Sequence, residues 1–388
     1  MRSDARHMSF KYHPMTAPQR PPAASRAAAK LALAALLCVH LLPAAHPLTA
    51  SPLQRFEYEH LQMATWFRLV IYAPERGIAD RAATAAFARV DALNAAMSDF
   101  LPDSEVSRLT APEHVKTAVP ISEDLCRVFR CARPIEQNSG GALDLTAGPL
   151  TQLWRRARER GVPPDPDAIR EARRAVGYEL LILDLTRSSA TPSIPGMRLD
   201  LGAVAKGYAA DCALAECRRR GLTRVLANAG GEVVVGEPPP DQQGWLVGLP
   251  APGAKDPPDE CLVVANSAVS TSGDQNQFLA YGGERYSHVI DPRTGNAVAH
   301  GCTVTVVVSN TDSDGLIADA LATAVNALGP EHGPALLARF GPAGARIIRP
   351  SPNGPTTITT PEFRRWRVVP RQPNPPDQMG SAMTNPAR

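Results

Sequence analysis

The order of apolar and polar positions divides the chain into elements with little ambiguity of type. Residues 62–72 (QMATWFRLVIY) are dense in aromatic and β-branched side chains and predict a strand, closed by Pro74 and Gly77. From residue 78 to 97 the positions Phe87, Val90, Leu93 and Met97 recur at helical spacing. A loop at 98–104, a short element at 105–109 and a helix at 122–132 follow. The turn-rich, apolar segment 140–150, with the single carboxylate of Asp144, leads into a helix through Trp154. Residues 167–176 read as an exposed helix, and 180–185 as a strand. Residues 198–201 alternate like the end of a strand, and Gly202 and Gly207 bracket the start of a helix. That helix ends at Arg218-Arg219-Arg220-Gly221, where cations suit the electronegative carbonyl end and glycine takes the left-handed cap.

A short strand at 224–227 then meets Asn228-Ala229-Gly230-Gly231, whose glycines would let the backbone come close to something bulky. Strand signals at 232–235, 245–249, 262–264 and 304–308 follow, and a helix is predicted over 316–328. With no internal repeat, the simplest reading is one domain over 55–370.

Composition changes this picture mainly by exclusion. A formal net charge of +3 over 388 residues gives no electrostatic case for a nucleic-acid partner. The seven cysteines are irregularly spaced and form no CxxC pair, which argues against a zinc site, a thioredoxin-like site or a dense disulfide framework. The apolar run 31–42 (LALAALLCVHLL) is too short for an ordinary membrane span, and basic residues precede it. Residues 1–50 are therefore expected to be a signal for export, placing the protein in the periplasm or cell envelope. A lipid anchor at Cys38 is disfavoured by Leu37. Membrane association would come only through this segment or a partner. The polar, proline-rich tail 371–388 is expected to be disordered.

Candidate chemistry is sparse residue by residue. Asp319 and Thr323 stand four apart on the 316–328 helix and so share a face, offering two oxygen ligands for a hard cation; a solvated polar stripe would look the same. His288 sits on the shoulder of a strand that runs into the turn Asp291-Pro292-Arg293-Thr294-Gly295. Lys206 lies at a helix N-terminus, where free N–H groups suit a phosphate. An ordinary strand–helix–strand unit would carry the same glycines. The loop Ser270-Thr271-Ser272-Gly273-Asp274 would serve equally as a phosphate lining or a plain turn.

These segments occur together and in order: Met63-Ala64-Thr65; Met97-Ser98 with Pro102-Asp103-Ser104-Glu105; Leu143-Asp144-Leu145-Thr146 with Gly148-Pro149-Leu150 and Trp154; Asp200-Leu201-Gly202-Ala203-Val204-Ala205-Lys206-Gly207-Tyr208; Asn228 with Gly230-Gly231; Thr271-Ser272-Gly273-Asp274; Ser287-His288; and Ala318-Asp319-Ala320-Leu321-Ala322-Thr323. In this the chain resembles the FAD:protein FMN transferases, the ApbE family, from about residue 63 to 368. The resemblance implies an α+β domain with largely antiparallel sheets and packed helices. It also implies a magnesium-dependent enzyme, mostly exported, that takes FAD as substrate, releases AMP and attaches FMN to a threonine or serine of an exported target protein. By the same resemblance Asp319 and Thr323, with backbone carbonyls of Ala203 and Ala322, match magnesium ligands. Met63, Phe100, Ala142, Leu143, Asp144, Asp200, Lys206 and Ile290 match FAD contacts, and His288 and Asp319 match catalytic positions. The chain departs from the family at Ala64 (usually glycine), at Phe100 (usually tyrosine) and at Gln275-Asn276-Gln277, where a tyrosine and an arginine are common. Two rivals use the same residues: hydrolysis of FAD to FMN and AMP, and FAD binding without cleavage.

Overall fold

The computed structural model describes residues 52–250, 258–274, 277–311, 313–341, 343–371 and 379–380. The expected export segment, most of the tail, and Gln275 and Asn276 lie outside the described residues. Eight strands form the main sheet: β1 (Gln54–Gln62), β2 (Thr65–Ala73), β3 (Val225–Ala229), β4 (Glu232–Val235), β5 (Ser267–Ser272), β6 (Thr303–Ser309), β7 (Ala343–Arg349) and β8 (Thr356–Thr359). They stand side by side in chain order, and each neighbouring pair is antiparallel. The helices are insertions into this meander. Between β2 and β3 come α1 (Arg76–Met97), α2 (Glu105–Leu109), α3 (Glu123–Asn138), α4 (Gly148–Arg160), α5 (Pro166–Arg173) and α6 (Ala205–Arg218); α7 (Asp314–Leu337) joins β6 to β7. The expected α+β class with antiparallel sheets is the observed one.

Two-residue periodicity sorts the sheet's side chains between two cores. On β6, Val304, Val306 and Val308 face the helices. Val307 faces a second, smaller sheet whose four strands are Arg367–Pro370, Glu260–Val264, Trp245–Leu249 and Met379–Gly380 in that order. Leu69 and Ile71 against Val70, and Val225 and Ala227 against Leu226, repeat the division on β2 and β3. Covered on both faces, these strands read as nearly continuous apolar runs rather than as alternation.

Three local readings change. The strand expected over 62–72 is broken: Gln62 pairs with Thr65, and Met63 and Ala64 form a two-residue turn with φ of 50° and 56°. The strand β1 that precedes it is polar at alternate positions and was not signalled by an apolar run. Gly230 and Gly231 (φ 70° and 120°) make the matching turn between β3 and β4. Their glycines serve the turn and a contact between the two hairpins, since a Cβ on Gly230 would lie 2.1 Å from Thr65 Oγ1. Two positive φ values in succession suit the twist of a tight hairpin, which Gly-Gly adopts freely and Met-Ala only under strain. Residues 198–201 are not a strand; Arg198 makes one isolated parallel bridge to Ala147.

The helix predicted over 316–328 begins two residues earlier, and its regular path breaks at Gly329 (φ 76°, ψ 176°), just before Pro330. The six cysteines of the described residues are free thiols. Among the described residues no helix is long and apolar enough to cross a membrane.

Candidate active site

The antiparallel meander brings alternate connections to one end of the sheet. The Met63-Ala64 turn, the Gly230-Gly231 turn, the end of β5 and the start of β6 all lie there. Helices α6 and α7 cross above it at a pair of glycines. A Cβ on Gly207 would stand 2.1 Å from the Gly315 carbonyl oxygen, and one on Gly315 would stand 2.4 Å from that of Gly207. The backbones therefore touch. Asp211, also on α6, tightens the crossing by accepting from the N–H groups of Gly315 (2.9 Å) and Leu316 (3.0 Å), which α7 cannot satisfy within itself.

The crossing places Asp319 against the first turn of α6. Its carboxylate is buried and accepts from the Gly207 N–H at 3.0 Å. Lys206 Nζ stands 4.0 Å from Asp319 Oδ2 and 3.5 Å from Glu232 Oε1. The other oxygen of Glu232 is buried with no hydrogen-bond partner. Burial pushes the Glu232 carboxyl up to about 8 and Asp319 in the same direction; the Lys206 charge opposes both shifts. Asp319 is thus no solvated stripe. Thr323 follows one turn later and is half-buried, Ala203 is half-buried just before α6, and Ala322 is buried in α7.

This donor set fits magnesium. Two carboxylates, one with an orphaned buried oxygen, share Lys206, Thr323 lies one turn along α7 from Asp319, and Ala203 precedes Lys206 in sequence; carboxylate, hydroxyl and carbonyl are all hard oxygen donors. Among the described residues no three His, Cys, Asp or Glu side chains converge as a metal cage.

His288 is half-buried, its backbone N–H donating to the Gln277 carbonyl at 3.1 Å and its Nδ1 3.3 Å from the same oxygen. Burial, followed by the charges of Lys206 and Arg158, holds its imidazole down at about 4, so the ring is neutral at pH 7. Ala142 packs with Val289, and Leu143 is buried beside it in sequence. Ile290 packs with Leu150 and Trp154.

Phe100 is 72% exposed, with the Arg155 guanidinium 4.3 Å from its ring centroid. Arg155 also pairs with Asp99 and, at 2.8 Å, with Asp200, whose other oxygen accepts from the Gly202 N–H. Phe100 thus offers a stacking platform steadied from behind. The Asp144 carboxylate is spent locally, accepting from Thr146 N–H (2.8 Å), Thr146 Oγ1 (2.6 Å) and Tyr178 N–H (2.9 Å). Any ligand contact at Asp144 falls to its backbone.

Three participants escaped the sequence reading. Glu232 had a signal, a carboxylate directly after a Gly-Gly turn, on the strand position that faces α6. Arg155 and Asp99 had none, because their pairing joins a loop to a helix far along the chain.

The ApbE family model matches residues 63–347, and the chain belongs to that family. A FAD:protein FMN transferase of Klebsiella pneumoniae is 28% identical over 311 residues, which is 79% of this chain and 87% of the relative. One from Vibrio cholerae is 30% identical over 273 residues, 68% of this chain and 79% of the relative. Among solved structures, the flavin transferase ApbE from Vibrio cholerae superposes with a TM-score of 0.71 at 25% identity, covering 81% of this chain and all of that one. The flavinyl transferase ApbE of Pseudomonas stutzeri gives 0.70 at 26% identity, covering 81% of this chain and 97% of its own.

Proposed function

We propose that this chain is a FAD:protein FMN transferase, magnesium-dependent and exported, acting on a threonine or serine of another exported protein. The observation that carries the reading is the buried Asp319–Lys206–Glu232 cluster facing a neutral histidine, in a chain of the ApbE family. In the reaction the acceptor hydroxyl oxygen bonds to the FMN-side phosphorus of FAD. The bond from that phosphorus to the bridging oxygen breaks, AMP departs, and the hydroxyl proton is taken up by the enzyme.

Asp319 and Thr323, with the Ala203 carbonyl, would hold magnesium, which when bound neutralises pyrophosphate charge. Lys206 balances the two carboxylates and faces the phosphates from the N-terminus of α6. His288, unprotonated at neutral pH, takes the hydroxyl proton. Burial is the main cause of the low imidazole, and a bound anionic substrate would offset only the smaller share that comes from Lys206 and Arg158. Phe100 stacks on a ring of the dinucleotide at the rim. Water lacks the orientation of a docked hydroxyl, so transfer outpaces hydrolysis.

The test is incubation with FAD, magnesium and an acceptor peptide bearing a threonine, followed by mass spectrometry and AMP assay. The peptide gains the mass of FMN, AMP release accelerates, and replacing the threonine by valine abolishes both. Fast AMP release indifferent to every peptide would instead establish a hydrolase. Binding of FAD with no AMP under any condition would establish a binding protein.

A further inference from the structure

Helix α4 presents one face to the segment that carries His288. Its Trp154 donates an indole N–H to the Gly295 carbonyl at 2.9 Å and stacks on Tyr286 with ring centroids 5.6 Å apart. Tyr286 and Gly295 flank His288 on either side in sequence. Leu279, from the hairpin Phe278–Tyr281/Glu284–Ser287, and Ile290 join Leu150, Trp154 and Ala157 in one apolar cluster. Arg158 lies four residues after Trp154, one turn on along the same face.

Arg158 differs from the charged residues around it. Arg155, one turn back, is committed to Asp99, Asp200 and the Phe100 ring. Lys206 is committed to Glu232 and Asp319. Asp274 is committed to Arg285. The Arg158 side chain is half-buried and makes no hydrogen bond or ion pair among the described residues, feeling the carboxylate of Glu159 only through space. Its charge nevertheless reaches His288. A partly desolvated guanidinium with no acceptor is costly to keep, and its planar fork is shaped for an oxyanion.

The geometry points to Arg158 as a substrate-binding residue whose guanidinium takes a phosphate oxygen of the dinucleotide. This rests on the proposed function, under which the reacting phosphates lie between Asp319 and His288. Location favours phosphate over a carboxylate of the acceptor protein, because Arg158 follows Trp154 by one turn on the α4 face that packs on Tyr286 and Gly295, and its charge acts on His288 together with that of Lys206. The carboxylate becomes an outcome of the test. Nothing in the motif pattern of the sequence singled this arginine out.

The experiment measures binding of FAD and of riboflavin, by flavin fluorescence with magnesium present, to the wild-type chain and to Arg158→Gln and Arg158→Lys. FAD binding by Arg158→Gln weakens about tenfold to a hundredfold, the range for a charge-assisted hydrogen bond. Riboflavin, which has the ring and no phosphate, binds both proteins alike. Arg158→Lys recovers part of the loss, and the thermal midpoints of all three agree within a few degrees. Unchanged FAD binding with a raised KM for the acceptor peptide would overturn the proposal in favour of an acceptor carboxylate. Parallel losses for FAD and riboflavin, or a large fall in midpoint, would overturn it in favour of a structural role. A wild-type chain that binds no FAD at all would refute the proposed function itself, an outcome distinct from any of these.

Discussion

Gly207→Ala puts the assembly of the site to its sharpest test. The added methyl would stand 2.1 Å from the Gly315 carbonyl oxygen, 2.6 Å from its carbon and 2.9 Å from Asp319 Cβ. Ordinary contact begins near ~3.5 Å, so α6 and α7 must part by roughly 1 Å or more. Helix propensity alone would favour alanine by about 0.5–1 kcal/mol. Overpacking of a rigid backbone contact opposes it with about 1–3 kcal/mol, so the net effect is destabilising. In a domain of this size that lowers the melting temperature by up to about 4 °C. The functional loss is larger, because the same displacement moves Asp319 away from the Gly207 N–H and from Lys206, and a misplacement of about 1 Å costs on the order of a hundredfold in rate. The assay pairs thermal melts with kcat/KM for FMN transfer to an acceptor peptide. Gly77→Ala serves as control, since its Cβ would meet only the Arg81 guanidinium at 3.5 Å; it leaves kcat/KM unchanged and does not lower the melting temperature. Wild-type kcat/KM and melting temperature in Gly207→Ala would refute the claim that the crossing positions the carboxylate.

Under the proposed function, magnesium at a hundred times its Kd should stabilise the wild-type chain by about 2.7 kcal/mol, and Asp319→Asn should abolish that gain; melts with and without magnesium check it, and an equal shift in both chains would place the cation elsewhere. His288 titrates at about 4 in the folded chain against about 6.5 unfolded, so the unfolded state binds more protons between those values and stability falls as pH drops from 6.5. Urea titrations at pH 6.5 and 5.0 should show His288→Gln losing less stability than wild type on acidification, by up to about 2 kcal/mol; equal losses would mean the imidazole is not held neutral. Phe100→Ala, at a 72% exposed position, changes stability by no more than about 0.5 kcal/mol yet raises the KM for FAD, and an unchanged KM would remove the ring from the site.

The chain's legibility followed what is local. Helix α7 was readable because Ile317, Ala320, Leu321, Ala324, Val325 and Leu328 repeat at helical spacing, although it runs on past a kink at Gly329 to Leu337. The Met63-Ala64 turn was missed because neither residue carries the glycine or asparagine that announces two positive φ values. Residues 198–201 alternate like a strand, yet the chain there is held by one bridge to Ala147 and the close approach of Gly148, whose Cβ would lie 2.6 Å from the Arg198 carbonyl oxygen. Asp319 and Thr323 were visible as a pair, but their burial depends on a crossing that no window of sequence contains. Asp144 turned its carboxylate to protein donors instead, Thr146 in its own loop and the Tyr178 N–H thirty-four residues on, the second of which no local window contains.

The meander in chain order also bears on how a newly made chain acquires competence. Pairing of β1 with β2 and of β3 with β4 needs only short loops, whereas docking β3 against β2 must close around six helices. The Gly207–Gly315 crossing then waits for β5 and β6, since α7 emerges from β6. A chain interrupted before α7 would hold the first six strands and the lysine of the cluster, but neither Asp319 nor Thr323. Competence is therefore a late property, contingent on non-local contacts that form slowly. In refolding, the far-ultraviolet signal of strands and helices should return before the capacity to grip a divalent cation, and the gap between the two measures the time α7 takes to settle on α6.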